Sequence, residues 1–334
     1  MQPFTYQRAT NADDAVRAAH ARPAASQFIA GGTNLADYMK LGVLRPEQLV
    51  DINALADTGH GRIEVTEQGL RLGALVRMAE AQAHPAIRRD YPVISQALML
   101  GASPQIRNMA SLGGNILQRT RCEYFRETSW PCNKRAPGSG CAALEGLNRE
   151  HAVLGTSEAC IATYHGDFAQ ALIALDASVE TVGPRGKRTL RFAELHRLPG
   201  TTPHVETVLE AGELITFITV PAGPHTRRSH YLKIRDRDSY QFALAAAAVA
   251  LHMAGDVVQD ARIALGGVAT APWRAHEAEA VLRGKPLDEA AAQQAAAVAF
   301  ADAKGRAHNS FKLALGPQTV VRALMEAKTM QVST

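Results

Sequence analysis

No apolar run in this sequence reaches the roughly 18–20 residues that a membrane span needs. The longest, "FALAAAAVALHMA" (Phe242 to Ala254), is shorter than that and rich in alanine. The opening "MQPFTYQRATNADDAVRAAHA" lacks the apolar segment of a signal peptide, so the chain by itself is expected in the cytoplasm. Charge of one sign is not in excess either. A formal net charge of +4 excludes a strong electrostatic footprint for nucleic acid. Neither a G-x-G-x-x-G nor a G-x-x-x-x-G-K-[ST] fingerprint occurs, which leaves Rossmann and P-loop binding without support. The twelve histidines show no metal-ligand pairing, and His151 and His165 read as surface residues. Cysteine is scarce, four in 334 residues, yet all four stand between positions 122 and 160.

What is present is the composition of a soluble globular protein, 46% hydrophobic and 20% charged, long enough for two or three domains. Thr10 or Asn11 is placed to cap a helix through "ADDAVRAAHA". "SQFIAGGTNLADYMKLG" reads as strand, glycine turn and helix, and "QLVDIN" as a short strand. A β-rich stretch, "GRIEVTEQGLRLGALV", precedes helices around Met78–Ala83 and Tyr91–Leu100. "GPRG" (Gly183 to Gly186) between "ASVETV" and "KRTLRF" signals a hairpin. After the strand "ELITFITVP", the segment "PAGPHTRRS" reads as a linker. Beyond it, "HYLKIR", "FALAAAAVALHM" and "DARIALGGVA" suggest a small antiparallel sheet. Helical patterns follow at "WRAHEAEAVLRG", "DEAAAQQAAAVAFADA" and "SFKLALGPQTVVRALMEAK". Strands first and helices after is an α+β order, with helices on one face of the sheet. There is no internal repeat.

Two glycine turns stand out. In "IAGGTNL" (Ile29 to Leu35), Gly31 and Gly32 remove Cβ atoms where backbone would approach a ligand, and successive N–H groups there suit a phosphate. A tight turn without ligand has the same sequence. "ASPQIRNMASLGGNI" (Ala102 to Ile116) repeats the device with Ser111, Gly113, Gly114 and Asn115. A pair of such turns suits a pyrophosphate held from two sides. Asp167, in "HGDFAQALIALDA", is either a helix cap or a ligand-facing carboxylate.

Together "FIAGGTNL", "ASLGGNI", "GDFAQALIALDA", "GELITFITVP" and "YLKIRDRDSYQFALAAAAVAL" resemble the FAD-binding medium subunit of molybdenum hydroxylases, in order and over nearly the whole chain. The resemblance implies a two-part FAD-binding domain of the vanillyl-alcohol oxidase-like (PCMH) type, spanning 1–56 and 57–222, then a C-terminal α+β domain over 223–334. It implies that Phe28, Ile29, Ala30, Gly31, Gly32, Thr33, Asn34 and Leu35 wrap the FAD pyrophosphate, with Ser111, Gly114 and Asn115 opposite. Ala102 belongs to the same cofactor-binding set. Asp167 would face the ribityl and ribose hydroxyls, Ile215 the isoalloxazine, and Lys233 its edge, where a cation stabilises an anionic reduced flavin. Without the family, Lys233 reads as a strand-surface lysine. No covalent flavin linkage is recognisable.

The cysteines fall in an insertion at about 116–162, with spacing C-x9-C-x8-C-x18-C. That spacing matches no common zinc or ferredoxin site. Disulfides, a zinc ion on four thiolates and a [4Fe–4S] cluster all remain open to it. Tyr124, Phe125 and Trp130 can shield a cluster. Arg119, Arg121, Arg126, Lys134 and Arg135 would offset thiolate charge or form a solvated, partner-facing loop. The loop is similar to that of the flavin subunit of bacterial periplasmic aldehyde oxidoreductases, which carries an additional [4Fe–4S] cluster. That likeness implies Cys122, Cys132, Cys141 and Cys160 as its ligands.

No residue here reads as a catalytic base, and nothing resembles a molybdopterin site or a plant-type ferredoxin run. The expected function is therefore that of a FAD-bearing electron-transfer subunit in a heterotrimeric molybdenum-containing aldehyde oxidoreductase. The molybdenum cofactor would sit on a large partner and two [2Fe–2S] clusters on a small one, with an external electron acceptor. A zinc-stapled scaffold and a stand-alone flavin oxidase are the rival readings. The periplasmic likeness implies export, after folding in the cytoplasm, on a partner's signal.

Overall fold

A computed structural model of the protein describes residues 1–332, built on three sheets. The first is parallel: β1 (Thr5–Arg8), β2 (Ser26–Ile29) and β3 (Gln48–Asp51), in the order β1-β3-β2. Parallel neighbours need crossovers, and the helices Ala12–His20 and Leu35–Lys40 supply them. Asn11 caps the former, its side chain accepting from the Asp14 N–H at 2.9 Å.

The second sheet is antiparallel, with β4 (Ile63–Thr66), β5 (Gly69–Gly73), β6 (Ser178–Gly183), β7 (Gly186–Arg191) and β8 (Leu214–Pro221) in the order β4-β5-β8-β6-β7. The "GPRG" hairpin joins β6 to β7 with Gly186 at φ +104°, a conformation that favours glycine. Between β5 and β6 the chain leaves the sheet for over a hundred residues. Helices beginning at Pro85, Pro92 and Pro104 open that excursion, each proline in the first turn, where its missing N–H has no intrahelical partner to lose.

The third sheet comprises β9 (Ser229–Ile234), β10 (Ala245–Ala254), β11 (Val257–Gly266) and β12 (Trp273–Arg274), antiparallel in the order β12-β11-β10-β9. Alanine is a weak strand former, yet β10 is largely alanine and almost wholly buried. Alternation explains it. Ala246, Ala248 and Ala250 face the core shared with helices Pro92–Leu100 and Phe168–Ala174, while Ala245, Ala247, Val249 and Leu251 face the core under helix Lys312–Lys328. Small side chains on both faces let two helical layers approach one strand closely. The sheet is thus covered on both faces, beyond the one-sided cover expected from the sequence. The fold is the two-domain α+β arrangement expected.

The C-terminal part also closes the cysteine insertion. Asn309 Nδ2 donates to the carbonyls of His151 (3.3 Å) and Ala152 (3.1 Å), and Lys304 N–H to that of Val153 (2.8 Å). The fully buried Lys312 ammonium reaches the carbonyls of Glu150 (3.2 Å) and Gly267 (2.6 Å). This packing corrects the reading of two histidines. His151 and His165 are buried rather than on the surface: residues 304–312 roof the segment of His151, and His165 packs against the Phe242 ring with its Nδ1 accepting from Arg121 N–H. Burial pushes His151 down to about 4 and His165 to about 3, and His196, packed against Tyr164 and Phe192, to about 4.

His196 gives the clearest consequence. Its Nε2 lies 2.9 Å from the Ile116 carbonyl, so it serves as a neutral donor. The folded state refuses a proton that the unfolded chain accepts below about 6.5. Stability is therefore complete above 6.5 and lost as pH falls towards about 4. His196→Gln keeps a donor without a proton site. Denaturant unfolding of that variant should show about 3 kcal/mol less loss of stability between pH 6.5 and 4 than the native protein. Parallel curves would refute the assignment.

Candidate cofactor site

β2 ends at Ile29, and the chain turns through Ala30–Asn34 before helix Leu35–Lys40 begins. A Cβ on Gly31 would stand 1.8 Å from the Met109 carbonyl oxygen, so only glycine lets this turn lie against that backbone. Gly32 has φ +73°. Among the described residues, the N–H groups of Gly31, Gly32, Thr33 and Asn34 find no acceptor in the protein. The second turn packs beside it. Ser111 Oγ accepts from Gly114 N–H at 3.3 Å, and Gly113 N–H donates to the Ala74 carbonyl at 2.8 Å. Asn34 Nδ2 donates to the Gly114 carbonyl at 3.1 Å, tying together turns about eighty residues apart in sequence.

The two turns wall a cleft of about 240 Å³, closed on its other sides by Tyr38, Leu44, Arg119, Leu214 and Ile215. Of the expected cofactor residues, Phe28 through Leu35, Ser111, Gly114 and Ile215 line this cleft. A row of free N–H donors with apolar walls fits an anionic linker carrying a flat ring system, which FAD is.

Ala102, Asn115, Asp167 and Lys233 lie off the cleft wall, in an adjoining polar knot. Asp167 stands at the start of helix Phe168–Ala174 but makes no capping bond. Its carboxylate accepts instead from Lys233 Nζ (2.8 Å) and Tyr231 Oη (2.7 Å), and Lys233 also donates to the Leu100 carbonyl (3.0 Å). Lys233 is therefore no surface lysine, since its side chain is 1% exposed. A buried ion pair is tolerable only when further hydrogen bonds support its charges, as the Leu100 carbonyl and Tyr231 hydroxyl do here. Tyr231 is held protonated, its pKa raised by burial and by the neighbouring carboxylate. Ala102 takes a left-handed φ of +53°, rare for a non-glycine residue. Asn115 Nδ2 lies 3.4 Å from Met78 Sδ, and its buried Oδ1 has no partner among the described residues.

The four cysteines converge, and all carry free thiols. They share an apolar cluster with Tyr38, Phe125, Ala143, Leu144 and Ile161, and Cys132 bridges Cys141 across a short antiparallel contact. Burial pushes the Cys122 thiol up to about 12 and that of Cys160 to about 11. Backbone N–H groups oppose that push. Those of Phe125 and Tyr124 point at Cys122, those of Ala143, Ile161 and Leu144 at Cys141, and that of Ala162 at Cys160. His151 Nε2 lies 3.1 Å from Cys122 Sγ, a contact that no sequence pattern signals. Phe125 is fully buried, but Trp130 is half exposed and shields little.

The basic residues of the insertion are not a solvated fringe. Arg119 and Lys134 pair with Glu206, Arg121 and Arg126 with Asp37, and Arg135 donates to the carbonyls of Tyr124 (2.8 Å) and Phe125 (2.7 Å). Asp37 and Tyr38 escaped the sequence reading, because nothing local marks a helix residue whose partners lie eighty or more positions away. Tyr38 and Leu44 line both the cleft and the cysteine cluster, so the two sites share a wall.

Comparison with known proteins agrees with this geometry. Residues 2–223 match the model for the FAD binding domain in molybdopterin dehydrogenase, and residues 229–327 that for the CO dehydrogenase flavoprotein C-terminal domain. The chain is 49% identical to the aldehyde oxidoreductase FAD-binding subunit PaoB of Escherichia coli (strain K12), over 98% of this chain and 99% of that one. It is 29% identical to the carbon monoxide dehydrogenase medium chain of Afipia carboxidovorans, over 97% and 98% of the two chains. Carbon monoxide dehydrogenase from Hydrogenophaga pseudoflava superposes with a TM-score of 0.76 at 27% identity, covering 98% of this chain and 97% of that one.

Gly31→Ala tests the cleft. The new methyl group must displace either the turn or the Met109 carbonyl, and overpacking of this kind should weaken FAD binding about tenfold to a hundredfold. Titration of flavin fluorescence measures it, and native affinity in the variant would place the cofactor elsewhere.

Proposed function

The chain belongs to the FAD-binding subunits of the molybdenum hydroxylase family, and from that premise we propose that it is the electron-transfer subunit of an aldehyde oxidoreductase whose four cysteines hold a [4Fe–4S] cluster. It is an oxidoreductase subunit that binds FAD. The finer reading rests on one observation above all: the cleft and the cysteine cluster share Tyr38 and Leu44, so centres held in the two places would be one side-chain layer apart.

Bound in the cleft, FAD supplies the ability to collect electrons singly and release them as a pair to an outside acceptor. The residues of this chain position and tune it. The free N–H groups of Gly31 to Asn34 hold the pyrophosphate, and the Asp167–Lys233 pair fixes a buried cation near the ring. Burial outweighs the converging N–H groups and keeps Cys122 and Cys160 as neutral thiols, so their ionisation would have to accompany metal binding. Among the described residues, no three of His, Cys, Asp and Glu stand closely enough to hold a single metal ion. The cluster reading rests on the four cysteines gathering in one buried pocket, not on a preformed ligand set.

In this reading substrate is oxidised on a large molybdenum-cofactor subunit, and a small subunit carrying [2Fe–2S] clusters relays the electrons. Two relatives are themselves named as a subunit and a medium chain. The reading extends to the route taken by the protein: cofactors enter while the thiols are reduced in the cytoplasm, and a partner's signal carries the folded complex to the periplasm.

Metal and flavin analysis of the anaerobically purified complex tests the assignment. With FAD in excess, Cys132→Ser should remove about four iron and four labile sulfide per complex relative to the native protein. Equal iron in both, or zinc in place of iron, would overturn the cluster.

A further inference from the structure

Four consecutive N–H groups reserved for a ligand leave the turn Gly31–Asn34 with few bonds of its own, those its Gly32 and Asn34 carbonyls accept from the N–H groups of Ala36 (2.9 Å) and Tyr38 (3.1 Å). Its side-chain anchors come largely from the cysteine insertion. The Asp37 carboxylate, one turn further on, receives Arg126 Nη1 on Oδ2 (2.6 Å), Arg126 Nη2 on Oδ1 (3.1 Å) and Arg121 Nη1 on Oδ2 (2.8 Å). Arg121 also gives Nη2 to Asn34 Oδ1 (2.9 Å), and Asn34 passes its own Nδ2 to the Gly114 carbonyl (3.1 Å). Tyr38 Oη bonds the backbone of Arg119 at both N–H (3.1 Å) and carbonyl (3.3 Å). Arg121 immediately precedes Cys122, and Arg126 ends the short helix Glu123–Arg126 that follows it.

We propose that Asp37 is a positioning residue for FAD: clasped by Arg121 and Arg126, it imposes the placement of the Cys122 segment on the flavin-binding turn. Ordering of the cysteine segment and FAD affinity are then linked, and the linkage is reciprocal. The forked, charge-assisted geometry suits this role, because two guanidinium groups on one carboxylate fix its orientation as well as its distance. The proposal rests on FAD occupying the cleft, and it holds whatever the cysteines bind.

The test compares FAD dissociation constants of the assembled complex, read by flavin fluorescence, for the native protein, Asp37→Asn, Cys122→Ser and the double variant. Each single substitution should weaken FAD about tenfold, and the double no more than about twofold beyond either single one. Asp37→Asn with native affinity, Cys122→Ser with native affinity, or a double variant that multiplies the two losses would each overturn it. Should Asp37→Asn fail to assemble, Arg126→Gln and Arg126→Lys make the comparison from the other side: glutamine should weaken FAD, and lysine should retain more of the affinity. Glutamine without effect, or lysine no better than glutamine, would count against the clasp. Iron content of the same samples judges the cluster separately. Native protein without iron would remove that assignment and with it the Cys122→Ser arm, leaving the Asp37 and Arg126 comparisons to decide the clasp, whereas failure to bind FAD at all would remove the cofactor assignment itself.

Discussion

A turn that offers its backbone N–H groups to a ligand cannot also spend them on its own shape. That constraint organises this molecule. Gly31 to Asn34 make no internal hydrogen bonds through those groups, and only the Gly32 and Asn34 carbonyls bind the turn to its own helix, so much of its shape is set from outside. The parallel strand β2 delivers it, the Met109 carbonyl walls it, the Ser111 turn braces it through Asn34, and arginines of the insertion grip the helix that follows. Each support comes from a different stretch of the chain. The cleft is consequently a product of tertiary structure, although its motif is only a few residues long.

Electrostatics solves a related problem in the cysteine pocket. Buried sulfur resists ionisation, and a pocket of four such groups would be a poor place for anions without compensation. The nearby arginines give little direct help, since Asp37, Glu206 and backbone carbonyls already engage them. The N–H groups of residues 124, 125, 143, 144, 161 and 162 face the sulfurs instead. The arginines of the insertion thus act as struts, while Lys134 and the fixed dipoles of the backbone act on the thiols.

This division explains what could be read from the sequence. The first glycine turn was visible because the positive φ at Gly32 is a local demand, and β10 as a strand but not as one buried on both faces, because a nearly all-alanine run marks neither face. The balance of charge in the insertion was visible as well, but its meaning was not, because Asp37 and Glu206 are distant in sequence. Burial of His151 and His165 was likewise hidden, since the first is covered from beyond position 300 and the second by Phe242. Asp167 has the sequence of a helix cap and the environment of an ion-pair partner, a difference made by Tyr231 and Lys233 on a strand some sixty residues later.

The roof over the insertion has a consequence for the order in which the molecule is made. Segment 148–153 is held by Lys304, Asn309 and Lys312. A chain emerging from the ribosome presents its four cysteines long before it presents these residues. The segment that sets His151 against Cys122 is therefore fixed only after residues 304–312 have been made, well after the other walls of the pocket.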